Sequence, residues 1–293
     1  MPEPKRRTVT GRTEIHEIVV DDGEIIRVAA AGSGPPIVFV HEWASSHQIW
    51  AGVAARLAPS FRVLRWDARG HAGRPRRAGA PLTVARLAED LAFVIDALRL
   101  ERPMIVAHSM GALVLWEMIA RHGCNGLGPI VVIDMTPKTV TDAEWRLGVY
   151  GDWPRERDAA FVRAMREDFA EAVVRFVSFS RNADARRRFE TAHPSVDRLR
   201  QSLARLDPEP LIEIWQSIMA GDWRPALSTI TVPTLLVYGA KSHFYVVETG
   251  VFVRNAIPRS RLVIYDEADH HPHLADPDRF TADLIAFAGA CPA

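Results

Sequence analysis

The chain has 293 residues, 36 Lys+Arg against 36 Asp+Glu for a formal net charge of zero, and 48% hydrophobic residues. That balance gives no electrostatic ground for nucleic acid or an anionic membrane as partner, while length and apolar content suffice for a sizeable core. No apolar run reaches the ~18 residues of a membrane span.

Taken in chain order, Met1 to Thr10 is polar and basic without the apolar stretch of a secretion signal. Glu14 to Val20 alternates apolar and polar residues, Asp21-Asp22-Gly23 is a turn, and Ile25 to Ala31 returns, which predicts an antiparallel hairpin at a sheet edge. Pro36-Ile37-Val38-Phe39-Val40 is a β-branched run fit for a buried parallel strand and ends in His41-Glu42-Trp43. A helix over about Gln48 to Ala58 and a strand over Val63 to Trp66 lead into Asp67-Ala68-Arg69-Gly70-His71. Thr83 to Leu98 sets Val84, Leu87, Leu91, Val94, Ile95 and Leu98 on one helical stripe. A strand at Met104 to Ala107, a helix at Met110 to Arg121 and a strand at Ile130 to Asp134 follow.

From Pro137 to about Pro225 the chain is charged, rich in Trp and Phe, and lacks buried-strand runs. Val173, Val174, Phe176 and Val177 predict amphipathic helices there. Strands resume at Thr234 to Gly239 and Leu262 to Tyr265, with helices at Glu248 to Ala256 and Asp278 to Phe287. The alternation predicts an α/β fold, a mostly parallel central sheet flanked by helices. The expected division is a core of residues 1–136 and 226–293 with a helical cap insertion at 137–225. Two cysteines, Cys124 and Cys291, fit a reducing, cytoplasmic setting better than a disulfide framework.

The chemistry centres on Val106-Ala107-His108-Ser109-Met110-Gly111, a serine between small residues at a strand-to-helix junction. It reads as a nucleophile elbow, although Ala107 stands where G-x-S-x-G has its first glycine, and a helix-capping serine is the plainer reading of the same residues. A serine hydroxyl needs a base and oxyanion donors. Of 11 histidines, three fall in Asp269-His270-His271-Pro272-His273 just after the last strand, where a solvated loop or a metal-binding trio is the alternative to a base.

With the His41 turn, the Asp67-Ala68-Arg69-Gly70 turn, the serine elbow and the late His-x-Pro segment in this order, the chain resembles the α/β-hydrolase superfamily, in its cap-bearing serine hydrolase branch, over roughly Ile15 to Ala288. The resemblance implies an α/β-hydrolase fold, Ser109 as nucleophile, His270 as base with His271 as runner-up, and an oxyanion hole from the backbone N–H groups of Trp43 and Met110. The usual acid turn after the resuming strand is Gly239-Ala240-Lys241-Ser242-His243, without an aspartate. Some members carry the acid after the preceding strand, which selects Asp134, a turn or cap residue on the plainer reading. Asp67, Arg69 and His71 are read as loop buttresses, and Arg186-Arg187-Arg188 as a solvated helix face.

A second departure is Glu42, which replaces the glycine of the family's His-Gly turn and is expected to point away from the developing oxyanion. His41, Glu42, Trp43, His108 and Met110 are the expected substrate-side residues, and Trp145, Trp153, Phe161, Phe169, Phe176, Phe179, Trp215 and Trp223 the apolar surface of the cap. The expected activity is cleavage of a small hydrophobic carboxylic ester through an acyl-serine intermediate, without metal or organic cofactor. The expected partner is a small hydrophobic acyl substrate, neither nucleic acid nor membrane, and a homodimer is compatible with the sequence. A lactonase, thioesterase, acyltransferase or C–C hydrolase would use the same residues, and a non-catalytic small-molecule binder is the reading of another class.

Overall fold

The structure is a computed structural model that describes residues 5–8, 13–72 and 82–291. Of the polar N-terminal stretch read from the sequence, residues 1–4 and 9–10 therefore lie outside the described residues.

Among the described residues one nine-stranded sheet organises the fold. Its strands are β1 (Lys5–Thr8), β2 (Thr13–Val19), β3 (Ile25–Ala31), β4 (Pro36–Val40), β5 (Arg62–Trp66), β6 (Met104–His108), β7 (Ile130–Ile133), β8 (Thr234–Gly239) and β9 (Ser260–Tyr265). In space they run β1-β2-β3-β5-β4-β6-β7-β8-β9. The edge formed by β1, β2 and β3 is antiparallel, and β5 through β9 are mutually parallel. The hairpin register pairs Val19 with Ile25 across the Asp21-Asp22-Gly23 turn, as the alternation predicts. Strand β1 has no counterpart in the sequence reading.

The central strands are apolar at most positions because both faces of the sheet are covered. In β4, Ile37 and Phe39 join one core while Val38 and Val40 join the other; β6, β7 and β8 repeat the alternation. Helices α1 (Ala51–Leu57) and α12 (Pro277–Ala290) cover one face through Val53, Leu57, Phe280 and Leu284. Helices α2 (Val84–Ala97), α3 (Met110–His122) and α10 (Val247–Ala256) cover the other through Leu87, Leu91, Val94, Val114 and Val253. Thr83 caps α2 by accepting from Arg86 N at 3.1 Å. The helix read at Gln48 begins instead as a 3-10 turn, His47–Trp50, started by the Ser46 hydroxyl.

Between β7 and β8 the chain forms α4 (Arg155–Glu167), α5 (Phe169–Ser178), α6 (Ala183–Glu190), α7 (Pro194–Leu203), α8 (Pro208–Ala220) and the short α9 (Arg224–Leu227). The arginines of the Arg186-Arg187-Arg188 run are exposed on α6. A short helix, α11 (Pro272–Ala275), follows the histidine-rich segment and was not legible in the sequence.

The chain runs from β4 to β5, then crosses back to β6 on the other side of β4. Such a reversal leaves a crevice at the carboxyl ends of the strands. Val40 pairs with Ala107, so the residues after β4 and those after β6 emerge side by side.

Candidate active site

Ser109 follows β6 and starts α3 with φ 52° and ψ −121°. A residue bearing a side chain pays about 1–3 kcal/mol for such a conformation. Its side chain makes no capping hydrogen bond, so the cap reading does not describe this serine. Gly111 explains the tightness: a Cβ there would lie 2.5 Å from the Val40 carbonyl oxygen and 3.1 Å from that of His41. The N-terminus of α3 thus packs directly on the loop that carries Glu42 and Trp43. Ala107 needs no such relief; its side chain fits inside the sheet core.

Asp134 is fully buried just past β7, at φ 43°. His270 Nδ1 donates to its Oδ2 at 2.5 Å, and the Ser242 hydroxyl donates to the same oxygen at 2.5 Å. Gly239 N approaches Asp134 Oδ1 at 3.3 Å. Ser242 Oγ in turn accepts from Phe244 N at 3.2 Å and Tyr245 N at 3.3 Å. The Ser242 turn, where the resemblance leads one to look for an acid, therefore supplies a hydroxyl donor to the Asp134 carboxylate at the end of the neighbouring strand. Sequence reasoning noted that this turn has no aspartate and missed that the Ser242 hydroxyl can orient a carboxylate from another strand end.

The adjacent His271 is held differently. Its Nε2 lies 2.9 Å from Glu42 Oε2, its Nδ1 3.5 Å from Asp269 Oδ1, and its backbone N donates to Asp269 Oδ1 at 2.8 Å. Burial opposes protonation of this ring, but the carboxylates of Glu42 and Asp269 outweigh it and raise its pKa to about 10. For Glu42 the balance runs the other way: burial pushes the carboxyl up, and the charge and hydrogen bond of His271 hold it well below the usual carboxylate range. Glu42 does not point away as expected. It turns into the cavity because His271 offers it a charged partner there.

Two expected substrate-side residues also need correction. His41 is 1% exposed, donates from Nδ1 to Glu42 O at 2.7 Å and accepts at Nε2 from Ala68 N at 3.0 Å. Both nitrogens are occupied in fixing the loops after β4 and β5. His108 is fully buried, donates from Nε2 to His270 O at 2.8 Å and sets Nδ1 3.4 Å from Glu42 Oε2, so it backs the loop and Glu42 without lining the cavity itself. Asp67 accepts from His47, and Arg69 bridges Asp90 and Asp22, in keeping with buttressing.

A cavity of about 330 Å³ is lined by Glu42, Trp43, Ser109, Met110, His270 and His271 on one side. Met135, Val173, Phe176, Leu203, Trp215, Ile218 and Met219 make its apolar wall, with Phe244 and Tyr245, which the sequence reading missed, beside His270. Phe244 meets the His270 ring edge-on at 4.6 Å. Of the expected cap aromatics, Phe176 and Trp215 reach the cavity. Trp145, Trp153, Phe161, Phe169 and Trp223 are buried in packing, and Phe179 is exposed. The Trp43 indole donates to Leu211 O on α8 at 2.8 Å and lies tilted against Trp215 with ring centroids 5.0 Å apart, tying the loop after β4 to the helices between β7 and β8.

Among the described residues, Glu42, His108 and His270 form a group whose ligand-type atoms lie within 4.8 Å of one another, a spacing a metal ion could bridge. His271 already holds one Glu42 oxygen, and Asp134 one His270 nitrogen. No helix among the described residues is long and apolar enough to cross a membrane.

Residues 35–277 match the family described as alpha/beta hydrolase fold. A pimeloyl-[acyl-carrier protein] methyl ester esterase of Vibrio vulnificus is 29% identical over 266 residues, covering 88% of this chain and 96% of that protein. Among solved structures, an esterase from Exiguobacterium antarcticum superposes with a TM-score of 0.81 at 20% identity, covering 94% of this chain and 99% of that one. A hydrolase from Pseudomonas aeruginosa superposes with a TM-score of 0.76 at 26% identity, covering 94% and 98%.

Proposed function

The chain belongs to the alpha/beta hydrolase fold family, and from that premise we propose that it is a serine esterase with Ser109, His270 and Asp134 as its triad. The observation that carries this reading is the pair of buried groups behind the cavity: His270 Nδ1 lies 2.5 Å from Asp134 Oδ2, which fixes the tautomer and leaves the other ring nitrogen to act as base. In the proposed reaction, Ser109 Oγ attacks the ester carbonyl as its proton passes to His270 Nε2. The backbone N–H groups of Trp43 and Met110 receive the oxyanion. His270 then protonates the leaving alcohol, giving an acyl-serine; it next takes a proton from water, whose oxygen attacks the acyl carbon, and returns a proton to Ser109 as the acid leaves.

The ester bond is the part of the reading supported by the Vibrio relative, which is named for cleaving a methyl ester. The acyl class comes from the cavity. At about 330 Å³ it falls at the small end of ligand sites, and its wall is mainly apolar, which favours a small hydrophobic acyl group. Residues 137–225 act, in this proposal, as a cap that supplies this wall. The two unpaired cysteines, Cys124 and Cys291, support a reducing, cytoplasmic setting.

Turnover of p-nitrophenyl esters of graded acyl length, beside a thioester and a lactone, tests the proposal. The expected result is a preference for short to medium acyl esters that disappears in Ser109→Ala with the fold retained. Preference for the thioester or lactone would overturn the bond assignment. No turnover in wild type, with a ligand still bound after Ser109→Ala, would identify a binder.

A further inference from the structure

Glu42 poses an electrostatic problem. It immediately precedes Trp43, whose backbone N–H is a proposed oxyanion donor, and it lines the same cavity as Ser109 and Met110. One of its oxygens lies within 4.8 Å of a nitrogen of His270. The close approach of α3 to the Val40 and His41 carbonyls keeps this loop against the start of α3. An unneutralised carboxylate at this range would oppose the charge that develops on the substrate oxygen. In a partly buried site a unit charge a few Å away changes a rate by one to two orders of magnitude.

The geometry supplies the neutralising charge. Both ring nitrogens of His271 face carboxylates, Nε2 toward Glu42 and Nδ1 toward Asp269. Nε2 is hydrogen-bonded to Glu42 at 2.9 Å and Nδ1 stands 3.5 Å from Asp269; a carboxylate only accepts, so both contacts favour the ring with a proton on each nitrogen. The backbone of His271 is fixed independently, donating to Asp269 and accepting from Leu274 N at 2.9 Å and Ala275 N at 3.0 Å at the start of α11. The charged groups around this ring are Glu42 from the loop after β4 and Asp269 from its own segment; the rings of His108, His270 and His273 also approach it.

We propose that His271 is a standing imidazolium that neutralises Glu42 beside the oxyanion donors, a positioning residue for ester turnover that does not itself exchange protons with the substrate. The inference rests on the esterase reading and adds a residue to it. It also accounts for how the loop after β4 carries a glutamate in place of glycine.

The test is a charge-swap cycle on the full chain, read as kcat and KM for p-nitrophenyl butyrate. His271→Gln is expected to lower kcat tenfold or more with KM within threefold, because an uncompensated Glu42 acts on the transition state and not on ester binding. Glu42→Gln is expected to cost less than tenfold. The double variant Glu42→Gln/His271→Gln is expected to recover to within about threefold of Glu42→Gln alone. A loss that persists in the double variant, or that falls on KM, would show that the ring is needed only for packing and would overturn the proposal, as would His271→Gln within twofold of wild type. Nitrogen-15 NMR of the His271 ring at pH 8 decides the charge without turnover: two protonated nitrogens are expected, and a neutral ring contradicts the proposal. Absence of wild-type turnover would sink the esterase reading, while the NMR result would still decide the ion pair.

Discussion

His270 and His271 are consecutive residues on one loop, and each contacts a carboxylate brought in from another strand end. His270 engages Asp134 through one nitrogen, with Phe244 against its ring, and the second nitrogen is the one assigned to the base in the proposed reaction. His271 turns both nitrogens toward carboxylates, Nε2 to Glu42 at 2.9 Å and Nδ1 to Asp269 at 3.5 Å. An imidazole acts as a general base only while one nitrogen keeps its lone pair, so the number of carboxylates facing the ring separates a base from a fixed cation. The two carboxylates differ as well. Asp134 is fully buried behind the cavity and receives the Ser242 hydroxyl; Glu42 stands in the cavity wall and depends on His271.

The comparison breaks most completely at Asp134. Asp134→Asn keeps the shape and removes the charge that supports the imidazolium of His270, so kcat for ester cleavage is expected to fall by ~10²-fold or more. Steady-state kinetics checks this, and wild-type turnover in the variant would remove Asp134 from the triad. Next comes the support of that acid. Ser242→Ala deletes a hydrogen bond to a charged group, which is worth about 1.5–3 kcal/mol, and a kcat loss of about tenfold is expected. If Ser242→Ala matches wild type, the hydroxyl is a bystander and Asp134 is held by the backbone alone.

On the other side of the comparison the effects are smaller. Glu42→Gly restores the residue that the His-Gly turn normally has, and turnover is expected to stay within about tenfold, ~1.4 kcal/mol; a larger loss would give Glu42 a direct part in catalysis. The ion pair should also appear in stability. His271 rises from the ordinary 6.5 to about 10 on folding, so its contribution is present in full below pH 6.5 and fades as pH climbs toward 10. Glu42 falls below its ordinary 4.5, so its contribution is lost as pH drops below that value. The Tm advantage of wild type over His271→Gln is therefore expected to be largest between pH 4.5 and 6.5 and to shrink toward pH 10. Thermal melts across that range check it, and a constant difference would contradict the pairing.

Much of this arrangement was legible in the sequence, for identifiable reasons. The buried strands are β-branched runs whose alternate residues feed two cores, and Ser109 stands two residues before Gly111, where the packing of α3 on the Val40 and His41 carbonyls leaves no room for a side chain. Asp134 could be named because the usual acid turn offers Ser242 and the preceding strand end offers an aspartate. What could not be read was direction. His41 finds one partner in the adjacent Glu42 carbonyl, but the partners that make His41 and His108 supports between loops, Ala68 and His270, lie 27 and 162 residues away. Glu42 was expected to turn from the cavity because its neutralising partner lies 229 residues on. Strand β1 is short and polar, and its order depends on pairing with β2, not on an apolar pattern of its own.

The most direct test of the central claim is the intact mass of the protein after treatment with a fluorophosphonate, with wild type, Ser109→Ala and Asp134→Asn run side by side. The reagent reports an activated serine without knowledge of the substrate. The account predicts one adduct on wild type, none on Ser109→Ala, and labelling slowed by ~10²-fold or more on Asp134→Asn. A folded wild type that takes no adduct, or an adduct that survives Ser109→Ala, would contradict it.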